Sequence, residues 1–272
     1  MISSAKIKLK NAIMQIAPSW GLRLFAIKSR RFNQLLLQKM GYSDLNEKII
    51  SLYGCRVLDG PFRNLCIPES CKYEQLGPYI FGTYEQEIQS WIHELSGWDF
   101  KVVIDIGSKF GYYAAGFARV FPKTKVIAFD VDPWSITQTR LTATLNDCNN
   151  LIVSSFCSPE WLVNNSTDSL IISDCEGFES NLFTDITAAG LKTATLIIET
   201  HEHLVPGQVS ELCRCFSETH HLSVIAAVPR SVPSWDKLGI EPSALTDVEI
   251  DMALNEMRPA GQKWIYMRPL AR

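Results

Sequence analysis

The sequence predicts an α/β, Rossmann-like fold: a mostly parallel seven-stranded sheet with helices on both faces, preceded by a helical and mixed N-terminal extension. Three observations predict it. From residue 99 onward, short apolar runs alternate with amphipathic helical stretches. The first run, Lys101–Ile106, leads into a glycine-bearing loop that opens a helix. The second run ends on Asp130, about 20 residues beyond those glycines, where nucleoside-binding sheets of this kind place an acid.

The chain has 272 residues, 46% of them hydrophobic, enough for a large domain with a real core. A net charge of −3 argues against a broad basic face, so no nucleic-acid partner is expected. No apolar run reaches the roughly 18 residues of a membrane span. No charged, apolar and small-residue segments follow one another as in a secretory leader, so a cytoplasmic location is expected. The 8 cysteines form no CxxC pair. Reduced, mostly buried thiols are therefore expected, not a zinc ribbon or a thioredoxin-like site.

Residues 1–80 read as the extension and residues 81–272 as the main domain. Lys6, Lys8, Lys10, Arg23, Lys28, Arg30, Arg31 and Lys39 all precede the first acid, Asp44. Ile7, Leu9, Ile13 and Ile16 are mixed among them at loosely helical spacing. Two readings stay open: peripheral contact with a membrane surface or anionic partner, and a helix that packs on the main domain or joins a homo-oligomer. Cys55–Leu58 and Asn64–Ile67 flank Asp59-Gly60-Pro61, a turn signal, so a small hairpin is expected. Tyr84–Leu95 reads as a helix with Ile88, Trp91, Ile92 and Leu95 on one face, ended by Gly97.

In the main domain the expected strands are Lys101–Ile106, Lys125–Asp130, Leu151–Phe156, Ser169–Asp174, Thr195–Thr200, Leu222–Val228 and Lys263–Arg268. Helices are expected over Gly111–Phe121, Trp134–Leu145 behind the cap Asp132-Pro133, Phe178–Ala189, Gln208–Thr219 and Thr246–Met257. Strands spaced by helices imply parallel units with right-handed crossovers.

The loop Asp105-Ile106-Gly107-Ser108-Lys109-Phe110-Gly111 carries the sharpest signal. Gly107 permits a tight turn and close backbone approach, and Gly111 lets the helix start near the sheet. The pattern is D-x-G-x-x-x-G, not the dinucleotide G-x-G-x-x-G. Asp105 would repel a pyrophosphate but suits a cationic amine. Asp130 can accept both hydroxyls of a ribose. Together they fit a nucleoside with a positive tail, which describes S-adenosylmethionine and not a dinucleotide. Trp134 is a candidate to stack on the adenine or to pack in the core.

From about residue 80 to 268 the chain resembles the FkbM-type class of S-adenosylmethionine-dependent methyltransferases. Gly82-Thr83-Tyr84-Glu85, the glycine loop through Tyr112-Tyr113, Ala128-Phe129-Asp130-Val131-Asp132-Pro133 and Ile198-Glu199-Thr200-His201-Glu202 carry the likeness. So do Asp174-Cys175-Glu176-Gly177-Phe178-Glu179, similar to the family's D-x-E-G-x-E signature, and the tail Asn255–Trp264. The resemblance implies a class I methyltransferase fold and O-methylation of a hydroxyl on a sugar, polysaccharide or natural product, with S-adenosylhomocysteine as by-product. It implies cofactor contacts from Tyr84, Glu85, Asp105, Gly107, Ser108, Lys109, Phe110, Gly111, Tyr112, Asp130, Val131 and Asp174. Ser108-Lys109, Asp130 and Cys175 depart from the usual residues of that family.

Methyl transfer to a hydroxyl needs alignment and removal of a proton. Asp174 ends the fourth strand, and Glu199 and His201 share one face at the end of the fifth. His201 is the first candidate base, because an ordinary imidazole titrates near ~6.5. Asp174 is the second, or the group that orients His201. A metal-free site is expected; the alternative is a divalent cation on Asp174 and Glu199, with His201 beside them. Glu176 or Glu179 is expected to cap the helix that follows, and His203 and the helix-ending pair His220-His221 carry no functional context. The competing functions are a nicotinamide-dependent oxidoreductase, which Asp105 disfavours, and a non-catalytic S-adenosylmethionine-binding relative acting through a partner.

Overall fold

The computed structural model describes residues 18–232, 235, 244–259 and 261–271. Lys6, Lys8, Lys10 and the isoleucines among them lie outside the described residues. The extension supplies helices α1 (Pro18–Lys39) and α2 (Tyr42–Tyr53), a 3-10 turn at Glu69–Tyr73, and the single-turn α3 (Gly77–Ile80). The small hairpin forms at its minimum: Arg56 bridges Cys66, and the amides of Val57 and Asn64 donate to the carbonyls of Leu65 and Val57.

The helix expected from Tyr84 begins only at Gln89, as α4 (Gln89–Leu95), after a 3-10 turn over Gln86–Ile88. Glu85 sits at φ 47°, left-handed backbone that no α-helix accommodates. Then come β1 (Val102–Ile106), α5 (Tyr112–Val120), β2 (Lys125–Phe129), α6 (Pro133–Leu145) and β3 (Leu151–Ser154). A helix with no counterpart in the sequence reading follows, α7 (Pro159–Asn165). Ser158 caps it by accepting from the Trp161 amide, and Pro159 stands at its first turn.

After β4 (Ser169–Ser173), the single helix expected over Phe178–Ala189 is broken into α8 (Glu179–Leu182) and α9 (Asp185–Gly190). Thr184 starts the second one as an N-cap in extended backbone. The chain ends with β5 (Thr195–Thr200), α10 (Gln208–Phe216), β6 (His220–Ala226), α11 (Asp247–Leu254) and β7 (Lys263–Pro269). His220 opens a strand instead of closing a helix, and its Nε2 lies 2.9 Å from the Ala194 carbonyl. Helix α11 stops at Leu254, short of the expected Met257, because the chain turns extended at Asn255.

The seven strands form one sheet in the order β3-β2-β1-β4-β5-β7-β6. Pairings among β1 to β5 are parallel; β7 runs antiparallel to both its neighbours. Strand order reverses beside β1, and a crevice opens at such a switch point outside the carboxyl ends of the strands. The largest apolar cluster joins Leu45, Val57, Phe62 and Leu65 of the extension to Tyr112, Phe117 and Val103 of the main domain. A second cluster on the other sheet face holds Ile104, Ile171, Ile198 and Phe216.

All eight cysteines are free thiols; Cys71, Cys148 and Cys157 are buried and the others half-buried. Among the described residues, no helix is long and apolar enough to cross a membrane.

Candidate active site

Strand register builds the site. Ile106 pairs with Phe129 on one side and Ser173 on the other, and Ser173 pairs with Ile198. The residues that follow, Asp130, Gly107, Asp174 and Glu199, therefore stand level across four adjacent strand ends. The Gly107 amide donates to the Phe129 carbonyl (2.8 Å) and the Asp174 amide to the Ile106 carbonyl (2.9 Å). Gly107 has φ +92°, and a Cβ there would stand 1.7 Å from the Asp174 carbonyl oxygen. Gly107→Ala is expected to cost about 1–3 kcal/mol of unfolding free energy through overpacking, with a displaced Asp174. Urea unfolding checks this; unchanged stability would mean the loop yields freely.

A cavity of about 250 Å³ opens over these strand ends, lined by Tyr84, Gly107, Lys109, Asp130, Val131 and Asp174, with Trp134 at one side. A recess of about 30 Å³ adds Asp105, Ser108, Phe110 and Tyr112 and shares Tyr84, Gly107, Lys109 and Asp174 with the cavity. The shared walls set Asp105 and Asp130 on two adjoining voids, close enough for the charge of one to act on the other. Asp105 is 3% exposed, and its Oδ2 has no hydrogen-bond partner among the described residues. Burial pushes its carboxyl well above the usual range, and the Asp130 charge adds to the effect. Asp130 accepts the Lys109 amide on Oδ2 (2.9 Å) and the Asp132 amide on Oδ1 (2.8 Å). Burial still outweighs these bonds and raises it to about 6.

A chamber of about 450 Å³ adjoins the cavity, sharing Tyr84, Lys109, Asp174 and Glu176, and adds Glu199, His201, His203, Arg258 and Gln262. His201 is buried between two acids. Its Nε2 lies 3.3 Å from Asp174 Oδ1 and its Nδ1 3.3 Å from Glu179 Oε1. These contacts are ion pairs, not aligned hydrogen bonds, since neither His201 Nδ1 nor Asp174 Oδ1 has a hydrogen-bond partner among the described residues. Burial alone would lower the His201 pKa; the two carboxylates override it and push it up to about 11. Burial would raise Asp174, but His201 outweighs it and holds Asp174 at about 2. The neutral imidazole assumed from the sequence is therefore an imidazolium in the folded chain.

In the chamber wall, Arg258 donates to three carboxylates, Glu85, Glu199 and Glu256, while Arg230 holds Glu87 and Glu256. Tyr113 also donates to Glu85. Burial pushes Glu85 up to about 7 and Glu199 well above the usual carboxylate range, against the pull of Arg258.

Of the residues expected to hold a cofactor, two stand apart. Glu85 lines neither cavity nor recess; its left-handed turn buries it completely against Tyr113 and Arg258. Gly111 lines neither as well: at φ +86° it caps α5, where a Cβ would meet Thr139 at 3.0 Å. Glu179 does not cap a helix. It accepts from the Cys175 amide (2.7 Å) and from Gln208 (3.1 Å). Glu176 stays exposed at the mouth of the chamber. One face of Trp134 is covered by Arg30, 5.1 Å from the ring centroid, which also donates to Asp132.

His203, Arg258 and Gln262 were not legible as site residues. His203 carried only its place two residues after His201. Arg258 and Gln262 lie in the tail segment that carries the resemblance, the one signal that pointed to them, but Glu85 and Glu199, which they hold, are distant in sequence.

The donor chemistry does not favour a metal. Asp174, Glu179 and His201, like Glu85, Asp174 and Glu199, each offer ligand atoms within 4.8 Å of one another. Arg258 already answers the charge of Glu85 and Glu199. His201 would have to lose its proton to become a ligand.

The strand order, with one antiparallel strand set between β5 and β6, decides the architecture. It is the Rossmann-like class I methyltransferase fold. No family model matches the chain, and no curated protein matches it. Among solved structures, an rRNA methylase from Streptococcus thermophilus is similar at 13% identity, covering 67% of this chain and 96% of that one, with a TM-score of 0.43. A ribosomal protein L11 methylase from Lactobacillus delbrueckii subsp. bulgaricus is 11% identical over 68% of this chain and 78% of its own, TM-score 0.41. A precorrin-6y C5,15-methyltransferase from Geobacter metallireducens GS-15 is 11% identical over 50% and 72%, TM-score 0.40. Likenesses this distant concern the course of the chain and nothing beyond it.

Proposed function

We propose that the protein is an S-adenosylmethionine-dependent methyltransferase that methylates a hydroxyl on a sugar, polysaccharide or natural product, as its resemblance to the FkbM-type enzymes implies. The observation that carries the cofactor reading is Asp105 Oδ2, a buried acceptor without a hydrogen-bond partner among the described residues, in a recess that adjoins the cavity of Asp130. Asp105 would hold the cationic amine. Asp130 keeps one lone pair on each oxygen for the ribose hydroxyls. A pyrophosphate in that recess would face Asp105, which disfavours the nicotinamide reading.

When bound, S-adenosylmethionine supplies a methyl group already activated on a sulfonium. The chain's own residues do the rest. Asp174 faces both the cavity and the chamber, its side chain is 30% exposed, and it is ionised beside His201. It accepts the hydroxyl proton as the new O–C bond forms, when that proton has become strongly acidic. His201 fixes the charge and position of Asp174. Asn33, Leu36 and Leu37 of α1 line the chamber, so the extension contributes to acceptor selection.

Calorimetry with S-adenosylmethionine tests this reading. Burial holds the Asp105 carboxyl well above the ordinary range in the empty chain, and an ammonium beside it would draw it back down, so binding is expected to release protons. The measured heat should then depend on the ionisation enthalpy of the buffer. Asp105→Asn is expected to weaken binding by about 10–100-fold, the loss of a charge-assisted hydrogen bond. Buffer-independent heats, or tighter binding of NAD, would overturn it.

A further inference from the structure

Helix α1 has two unlike faces. Its inner face, with Leu22, Ala26, Arg30 and Asn33, lines the cavity. At 3.6 residues per turn, Leu24, Lys28, Arg31, Phe32, Leu35 and Lys39 fall on the opposite side, within about 100° of arc. That side is bare: Leu24 is 45%, Phe32 66% and Leu35 59% exposed. Lys28, Arg31 and Lys39 form no ion pair among the described residues. No acid occurs before Asp44, although the chain as a whole is net −3.

We propose that this outer face of α1 docks on an anionic lipid surface. The apolar side chains would enter the boundary between headgroups and acyl chains, and the lysines and arginine would meet lipid phosphates. At 1.5 Å per residue, the 22-residue helix presents about 33 Å lying flat. Charge complementarity selects this occupant. A symmetric contact with a second copy would set an acid-free cationic face against itself, with like charges opposed. A lipid phosphate layer instead offers only negative charge to every cation. Docking would leave the inner face on the cavity undisturbed and bring the chamber, whose wall includes Leu36 and Leu37 of the same helix, close to the lipid.

Co-sedimentation of the full chain with vesicles tests the proposal. The chain is expected to pellet with phosphatidylglycerol-containing vesicles and not with pure phosphatidylcholine, and to be released as salt is raised well beyond physiological strength. Lys28→Glu with Arg31→Glu, and separately Phe32→Ser with Leu35→Ser, are each expected to weaken binding at least about tenfold. Their melting curves and cofactor affinity should stay those of the parent chain. The salt release of the parent chain stands as a test even if a variant fails to fold. No binding to anionic vesicles, or equal binding to both kinds, overturns the proposal. So does a solution dimer that Phe32→Ser dissolves in a chain that vesicles do not retain; a second copy would then be the occupant.

Discussion

Asp174→Asn is expected to lower kcat for methyl transfer by about 10²–10⁴-fold, the usual yield of a positioned proton acceptor. The amide keeps the shape of the side chain but cannot take the proton. The pH profile separates the two residues. Asp174 is held at about 2, so with Asp174 as acceptor kcat is flat on the alkaline side of neutrality. If His201 were the acceptor, the reactive form would be the scarce neutral imidazole of a group that titrates near 11. Activity would then climb about tenfold per pH unit between about 7.5 and 9.5. Steady-state kinetics over that interval decides between them, and a rising profile would remove Asp174 from the role. His201→Gln serves as the positioning control. Without its imidazolium partner, Asp174 should rise from about 2 toward the ordinary carboxylate range, and an acid limb should appear in the profile. A purely structural His201 would lower activity without moving that limb.

Arg258→Met is expected to cost about 3–5 kcal/mol of unfolding free energy, because it strands the buried carboxylates of Glu85 and Glu199 without their cation and leaves Glu256 to Arg230 alone. The sign of the pH dependence follows from the acids involved. Glu85 is already raised to about 7, so its share of stability is present below the ordinary carboxylate pKa and lost as pH rises through 7. Glu256 is lowered by Arg230 and Arg258 against the pull of burial, so its share is present at neutral pH and lost on acidification. Removing Arg258 deepens the first loss and erases part of the second gain. The deficit of the variant should therefore be largest near pH 8 and shrink toward pH 5, where the stranded acids take up protons. Urea unfolding at the two pH values checks this. Equal deficits would mean that Arg258 acts through packing alone.

Much of the fold was legible because its signals are local. Strands β1, β2 and β4 show as apolar runs bounded by turn residues. Helix α6 announces itself by Asp132-Pro133, and the side chain of Asp132 does accept the Trp134 amide. Backbone chemistry of this kind acts within a few residues, so a window of sequence contains its causes. The errors arose where a local pattern met a tertiary demand. An apolar periodicity runs through Tyr84–Leu95, yet Glu85 takes a left-handed turn that carries it to Arg258. The run Phe178–Ala189 is helical in pattern, yet Thr184 interrupts it to start a second helix.

By itself, the sequence determined the strand–loop–helix unit around Gly107 and the acids that end its strands. Strand ends in such a sheet are ordered by backbone pairing, so Asp130, Asp174 and Glu199 were bound to meet at one edge once the strands were recognised. Tertiary structure alone decided the protonation of His201, the seat of Arg258 and the place of α1 over the cavity. Two of the three carboxylates on Arg258, Glu85 and Glu199, stand 173 and 59 residues away. Charge interactions and burial act through space, and a buried group takes its pKa from whatever the fold sets within a few ångströms of it.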